Sequence, residues 1–209
     1  MYYDKLEKFN LFKTAVILAG GKSTRMGFDK QFLKFEDKQL IDVMSEKLYT
    51  SFEEIIIISN KPELYKDSPY KIISDEVKDM GPISGIYEGL KAAKGEYVYF
   101  IACDMPIINL DFIEFMKDRL IKEPKQCCIV ERETYMEPFN AFYSKSLLQE
   151  VEQMIKADKR ALKQLIRASD TLYIEEEEVK SFDCNFEMFM NLNTKEDLER
   201  YIFRYNNSK

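Results

Sequence analysis

The strongest constraint on how this chain can fold is an apolar run that ends in two glycines, TAVILAGGKSTRMGFDK, residues 14–30. Residues 15–19 are apolar without interruption, which is typical of a strand with both faces covered. Gly20 and Gly21 follow, and glycines let a chain turn sharply and bring backbone N–H groups close to a ligand. The stretch therefore predicts a buried strand that leads into a tight loop at one edge of a sheet.

The loop after this strand is cationic, although the whole chain has a net charge of −6. Between residues 20 and 34 one anion, Asp29, stands against four cations, Lys22, Arg25, Lys30 and Lys34. Glycines and cations at the carboxyl end of a strand are how α/β proteins hold phosphate groups. We therefore predict phosphate binding here. The alternative is a solvated turn, which the full spacing Gly-Gly-x-x-x-Arg-x-Gly-x-x-Lys disfavours.

Strands alternate with helices along the rest of the chain. Apolar runs predict strands at 55–58, 70–74, 97–102, 127–130 and 139–143, and helical spacing predicts helices near 40–48, 82–93, 112–120, 146–155 and 160–166. We interpret the acidic run 175–178 as a solvated turn and Thr194, with Asp197, as the N-cap of a last helix. This order predicts an α/β fold with a mostly parallel sheet covered on both faces. Residues 1–209 are expected to form one domain, with 1–13 as a lead-in segment.

Composition excludes several classes of chemistry. None of the 209 residues is histidine, so imidazole-based catalysis and imidazole metal ligands are excluded. Any metal is then expected on carboxylate and phosphate oxygens, which favours Mg²⁺ or Mn²⁺. Adjacent Cys127 and Cys128 fit neither a zinc site nor a disulfide framework, so the four cysteines are expected to be reduced packing residues of a cytoplasmic protein.

The charge and hydropathy of the chain also limit its partners. The net negative charge argues against nucleic acid as the main partner, because phosphate backbones need a basic face. No apolar run approaches the about 20 residues that a transmembrane helix needs, so no membrane partner is expected. A small anionic ligand remains compatible with the local cationic loop.

Four of the predicted strands end in polar groups, at Gly20-Gly21, Asn60, Asp75 and Asp104. In a doubly wound sheet, ligands bind beyond the carboxyl ends of the strands. Asp104, in Asp-x-Pro, is predicted to bind a divalent metal, and Asp75 to accept hydrogen bonds from a base. An ordinary turn role is the alternative for each of these residues. Gly81-Pro82 fits either a helix start or a close approach to the ligand.

Four segments of the chain, LAGGKSTRMGFDK (18–30), GPISGI (81–86), ACDMP (102–106) and NLNTKEDL (191–198), resemble the molybdenum cofactor guanylyltransferases. The resemblance extends from about residue 14 to residue 201. It implies a Rossmann-like three-layer sandwich with a mostly parallel, mixed sheet. It also implies transfer of GMP from GTP to molybdopterin-bound molybdenum, with release of pyrophosphate. The site residues that the resemblance implies are Leu18, Ala19 and Gly20 along the nucleotide, Lys30 at its phosphates, Asp75 at the guanine and ribose end, Asp104 on Mg²⁺, and Asn191 and Asn193 facing the pterin acceptor.

The predicted reaction is in-line attack of an acceptor phosphate oxygen on the α-phosphorus of the nucleotide. A phosphate nucleophile is already ionised at neutral pH, which suits a chain without histidine. Catalysis then depends on alignment and charge neutralisation. We assign these roles to Lys30, Arg25 and metal-bound Asp104, with the N–H groups of Gly20 and Gly21.

Three features depart from the family pattern. Ile83 stands where leucine is usual, and Ile58 stands where a base-contacting asparagine is often found, with Asn60 two residues later. Segment 131–141 matches only loosely, so its acceptor contacts stay open. Three alternatives therefore remain: a cytidylyltransferase acting on the same pterin, a sugar-phosphate or isoprenoid-precursor nucleotidyltransferase with the same loop, and a non-catalytic nucleotide-binding regulator. Expected partners besides GTP and molybdopterin are molybdopterin-delivery proteins or molybdoenzyme chaperones.

Overall fold

The computed structural model describes residues 8, 10–20, 34–35, 38–75, 77, 80–133 and 135–207. Within these ranges the strands are β1 (Thr14–Leu18), β2 (Lys34–Phe35), β3 (Lys38–Gln39), β4 (Glu54–Ser59), β5 (Lys71–Ser74), β6 (Tyr97–Ala102), β7 (Cys127–Arg132), β8 (Tyr135–Ser144) and β9 (Thr171–Glu175). The α-helices are α1 (Leu40–Leu48), α2 (Pro82–Ala92), α3 (Leu110–Lys122), α4 (Leu148–Lys156), α5 (Leu162–Ala168), α6 (Glu176–Lys180) and α7 (Lys195–Asn207). Short 3₁₀ turns lie at Pro62–Tyr65, Lys145–Leu147 and Glu187–Phe189.

Seven of the strands form one sheet in the order β5-β4-β1-β6-β8-β7-β9, and β2 pairs with β3 in a separate small hairpin. Pairing is parallel throughout β5, β4, β1 and β6, and again between β7 and β9. Only β8 runs against its neighbours, since it is antiparallel to both β6 and β7. The predicted mostly parallel, mixed sheet is therefore confirmed.

Helices cover both faces of this sheet and make it the middle of three layers. Because successive side chains of a strand point to opposite faces, Ala15 and Ile17 pack into one apolar cluster and Val16 and Leu18 into the other. The first cluster is completed by residues from α1, α3, α6 and α7, the second by residues from α2, α4 and α5. The sequence-based expectation of a Rossmann-like sandwich is confirmed.

Two local expectations were wrong. The acidic run is not a turn: Glu175 ends β9 and caps α6 through a reciprocal capping box with Glu178. Carboxylates are favourable at a helix N-terminus, so three acids in the first turn of α6 suit a helix start. Cys127 and Cys128 are buried and unbridged as expected, but Cys184 is exposed and is not a packing residue.

Helix α2 lies very close to β1 and β6 because it presents glycines to the sheet. A Cβ atom added at Gly89 would stand 2.5 Å from Cε1 of Phe100 and 3.1 Å from Cγ2 of Val16, both fully buried. At Gly85 the added Cβ would meet the flexible end of Leu18, whose Cδ2 atom lies 2.7 Å away. The helix therefore tolerates little extra volume at Gly89 and more at Gly85.

Gly89→Ala is expected to lower the free energy of unfolding by about 1–2 kcal/mol. The overpacking strain of about 1–3 kcal/mol outweighs the gain in helix propensity of about 1 kcal/mol. Urea denaturation measures the change, and Gly85→Ala is the matched control, because the end of the Leu18 side chain can rotate away. Equal stability of the two variants would contradict this account of the α2–sheet contact.

In the part of the chain that the structure describes, no helix combines the length and the apolar character needed to cross a bilayer.

Candidate active site

The predicted site lies between two neighbouring strands whose connecting helices lie on opposite faces of the sheet. From β1 the chain passes through α1 to β4 on one side, whereas α2 leads on the other face to β6. Strands β1 and β6 are neighbours, with Leu18 paired to Ala102, and the Cys103 N–H donates to the Leu18 carbonyl at 3.0 Å. Such a topological switch point opens a crevice beyond the carboxyl ends of the two strands. Gly20 and Asp104, each two residues past this pair, therefore lie at the same crevice.

The other strand ends converge at the same edge. The Ala19 N–H donates to the Ile58 carbonyl at 2.8 Å, which fixes the end of β1 beside the end of β4. Asn60 follows β4, and its Nδ2 lies 3.5 Å from the position that a Cβ would occupy on Gly20. Ile58 itself is buried inside the sheet, so Asn60 is the asparagine that this edge presents. The predicted ring of Gly20, Asn60, Asp75 and Asp104 is thus gathered at one edge of the sheet.

A distant segment of the chain completes this edge beside Asp104. The Leu192 N–H donates to the Asp104 carbonyl at 2.7 Å, so exposed Asn191 and Asn193 flank a residue that is fixed to the end of β6. The segment continues directly into α7, where Thr194 Oγ1 accepts from the Asp197 N–H at 3.1 Å. Asp197 Oδ2 accepts in return from the N–H groups of Asn193 and Thr194. The predicted cap is confirmed, and it fixes the backbone of Asn193.

Asp75 is the most constrained carboxylate of the described site. Its N–H donates to the Ser59 carbonyl at 3.3 Å, and its Oδ2 accepts from the Ser84 hydroxyl at 2.8 Å. Its second oxygen, Oδ1, is buried without a hydrogen-bond partner among the described residues. Burial raises the pKa of the Asp75 carboxyl, and the hydrogen bond from Ser84 opposes this shift only in part. The sequence pattern did not single out Ser84.

Gly81 and Pro82 form the start of α2, so the predicted helix start is confirmed, while a close approach of these residues to the ligand stays a prediction. Pro82 occupies the first turn, and Gly81 is the N-cap with φ of +69°, a conformation that strains any residue with a Cβ. No atom of the described residues lies within 4 Å of the position that its Cβ would take, so the backbone conformation is the reason for glycine that the structure shows.

Segment 131–141 extends past the carboxyl end of β6. Because β8 is antiparallel to β6, with Phe100 opposite Ala141, the residues before Ala141 continue beyond that edge. There Arg132 lies 3.5 Å from the carboxylate of Glu137 and 4.3 Å above the ring of Phe186. Burial raises the pKa of Glu137, and Arg132 lowers it in part. The hairpin therefore holds an ion pair between Arg132 and Glu137 beyond the carboxyl end of β6.

The residues that would contact phosphates are placed only by the sequence. Gly21, Arg25 and Lys30 lie outside the described residues, and their predicted roles stay predictions. Leu18, Ala19 and Gly20 are described: Leu18 and Ala19 are buried, and Gly20 is exposed at the end of the strand.

The donor set at this edge fits magnesium. Among the described residues no group of three or more acidic or cysteine side chains is close enough to form a complete metal cage. Half-buried Asp104 instead offers one carboxylate at the crevice. Mg²⁺ is commonly held in this way, by one or two carboxylates together with substrate phosphates and water.

The model of the MobA-like NTP transferase domain matches residues 15–172, a range that runs from the second residue of β1 past the end of β8. The chain belongs to this family. A relative from Syntrophotalea carbinolica described as "Molybdenum cofactor guanylyltransferase" is 46% identical over 190 residues, covering 91% of this chain and 90% of that protein. A relative from Peptoclostridium acidaminophilum, "Probable molybdenum cofactor guanylyltransferase", is also 46% identical, with coverage of 94% and 91%.

Solved structures agree with the family assignment. "Molybdopterin-guanine dinucleotide biosynthesis protein A" from Archaeoglobus fulgidus superposes with a TM-score of 0.80 at 25% identity, covering 93% of this chain and 99% of that one. A CMP:2-keto-3-deoxy-manno-octonic acid synthetase complexed with CTP shares the fold, with a TM-score of 0.68 at 14% identity. As a member of the MobA-like NTP transferase family, the chain is an enzyme, a nucleotidyltransferase. The fold alone does not select the base of the nucleotide, since a synthetase complexed with CTP shares this fold.

Proposed function

We propose that this chain transfers GMP from GTP to the phosphate group of the molybdenum-loaded molybdopterin cofactor, forming the guanine dinucleotide cofactor and releasing pyrophosphate. The observation that carries the proposal is the hydrogen bond from Leu192 N–H to the Asp104 carbonyl. This bond joins Leu192, which lies between Asn191 and Asn193, to the backbone of Asp104, and so supports an acceptor-side role for this segment next to the proposed nucleotide crevice. The names of the relatives that are 46% identical support the same substrates.

Each part of the proposed site has a separate role. Leu18, Ala19 and the N–H groups of Gly20 and Gly21 line the nucleotide, while Asp75 accepts hydrogen bonds from guanine. Lys30 and Arg25 neutralise and align the phosphates. Asn191 and Asn193 face the pterin acceptor. Because the attacking phosphate is ionised near neutral pH, no residue needs to remove a proton from it.

Asp104 would hold Mg²⁺ in this mechanism. When bound, the ion supplies positive charge that neutralises the phosphates during displacement of pyrophosphate. The backbone that carries this carboxylate is fixed at two points, because the Cys103 N–H donates to the Leu18 carbonyl and the Asp104 carbonyl accepts from the Leu192 N–H. A fixed backbone suits a residue that holds a metal ion.

The test is release of pyrophosphate when the protein is mixed with GTP, Mg²⁺ and molybdopterin cofactor. We expect stoichiometric pyrophosphate and guanine dinucleotide, loss of both on adding EDTA, and recovery on adding excess Mg²⁺. Turnover that survives chelation would contradict the metal role of Asp104. Absence of pyrophosphate in the complete mixture would contradict the proposed reaction.

A parallel binding titration with GTP and CTP separates guanylyl from cytidylyl transfer. Tighter binding of GTP is expected, and tighter binding of CTP would assign the chain to the cytidylyl alternative. A binder that never releases pyrophosphate would instead match the non-catalytic regulator.

The unit proposed to carry this activity is one domain over residues 1–209, with residues 1–13 as a lead-in. Proteins that deliver molybdopterin or receive its dinucleotide form, and a cytoplasmic location, stay predictions.

A further inference from the structure

Ser84 is a fully buried polar residue at the start of α2 that the mechanism above does not use. Two acceptors lie within hydrogen-bonding distance of its hydroxyl, Asp75 Oδ2 at 2.8 Å and the Gly81 carbonyl at 2.7 Å. A serine hydroxyl has one proton to donate, and a bond to a carboxylate is the stronger of the two. The Asp75 side chain is therefore tied to the first turn of a rigid helix.

The hydrogen bond from Ser84 makes the two carboxylate oxygens of Asp75 differ in their hydrogen bonding. Oδ2 is engaged by Ser84, whereas Oδ1 is buried and makes no hydrogen bond to any described residue. A buried acceptor without a partner is costly, so an N–H donor that gains access to Oδ1 when a ligand enters the crevice regains that free energy. A carboxylate held in this orientation can accept from two neighbouring donors of one ligand.

We propose that Ser84 is a positioning residue for base selection, which holds the Asp75 carboxylate so that it accepts the adjacent N–H groups of guanine. This inference rests on the proposed function, and it adds a structural reason why the site would prefer guanine to cytosine. Guanine presents a ring N–H beside an amino group, whereas cytosine presents an amino group beside a ring acceptor that repels a carboxylate. A site built to receive two N–H donors rejects a base that lacks one of them.

Backbone geometry at the same helix end supports this role. Gly81 adopts a positive φ and Pro82 occupies the first turn, so the chain before Ser84 is held in one conformation. The next residue, Gly85, lies so close to the end of β1 that a Cβ atom added to it would stand 2.7 Å from Leu18 Cδ2, and the nucleotide is proposed to bind at this strand end. Ser84 therefore couples the base-side carboxylate to the strand end through two neighbouring positions of one helix.

The test is a double-mutant cycle on GTP affinity, measured by calorimetry on the full chain with Ser84→Ala, Asp75→Ala and the double variant. Ser84→Ala is expected to weaken GTP binding about tenfold, the value of one hydrogen bond to a charged group, with kcat at saturating GTP little changed. In the Asp75→Ala background the same substitution is expected to have no further effect, because Ser84 acts through Asp75.

The matched control is Ser45→Ala, which removes another fully buried helix hydroxyl, one without a hydrogen-bond partner among the described residues. It should leave GTP affinity unchanged. A purely structural role of Ser84 would lower the thermal midpoint and weaken GTP binding equally in both backgrounds, and that result would overturn the proposal. Unchanged affinity of Asp75→Ala would overturn it as well, even if Ser84→Ala did not fold.

The outcomes also separate this inference from the proposed function. Failure of the unmodified chain to bind GTP would overturn the proposed function and this inference with it. Normal GTP binding by the unmodified chain, together with additive effects of the two substitutions, would overturn the inference alone.

Discussion

Asp104→Asn is expected to lower kcat about 100-fold or more while the protein stays folded. The substitution removes the negative charge proposed to hold Mg²⁺ but keeps the size of the side chain. Loss of a single preorganised charge-stabilising group in a transition state typically costs this much. The fold should be unaffected, because the hydrogen bond that joins this residue to Leu192 uses its backbone carbonyl.

Steady-state pyrophosphate release over a range of Mg²⁺ concentrations measures the effect. We expect both a lower kcat and a higher Mg²⁺ requirement. Asp111→Asn is the matched control, since it makes the same change at an exposed carboxylate in the first turn of α3. Turnover near that of the unmodified chain in folded Asp104→Asn would remove Asp104 from the mechanism.

Lys30→Ala is expected to lower turnover by roughly 100-fold as well, because it removes the cation that the sequence places at the nucleotide phosphates. The loop 20–34 has four cations and one anion in a chain of net negative charge, which is costly to assemble without an anionic ligand. The loss is expected in kcat/KM for GTP and to grow with the charge of the nucleotide, so GTP should suffer more than GMP in binding titrations.

Lys38→Ala is the control for Lys30→Ala. Lys38 is an exposed lysine a few residues further along, but it is paired with Glu46 at 2.6 Å rather than proposed to contact a ligand. Its removal should change activity little. Equal losses in the two variants would indicate a general effect of positive charge, and near-normal activity of Lys30→Ala would contradict a specific phosphate contact.

The local hydrophobic pattern of the sequence was sufficient to predict most of the strands and helices. The apolar runs of β1, β4 and β6 and the helical spacing of α2 and α3 gave correct elements, because buried strands and amphipathic helices have distinct periods. The Thr194 cap was also predictable, since Thr and Asp three residues apart satisfy each other's backbone donors. Strand β9 and helix α6 were missed, because a short strand that runs into consecutive acids has no clear period.

Some residues of the candidate site could be located from the sequence, and others could not. The sequence could place Gly20, Asp75 and Asp104 at strand ends, because strand length and turn chemistry are local properties. It could not pair Ser84 with Asp75, since nothing in the spacing of GPISGI says which acceptor a buried hydroxyl reaches. It also could not place Arg132 beside Phe186, because that contact depends on β8 running antiparallel to β6.

The sequence by itself determined a buried strand that ends in a glycine-rich cationic loop, a carboxylate shortly after the most apolar strand, and the exclusion of imidazole-based catalysis. Only the tertiary structure decided that β1 and β6 lie side by side with Leu192 bonded to Asp104, and that α2 brings Ser84 onto Asp75. The physical reason is that strand and turn propensities act over a few residues. Contacts between distant segments exist only once the sheet order and the helix packing have closed the intervening loops.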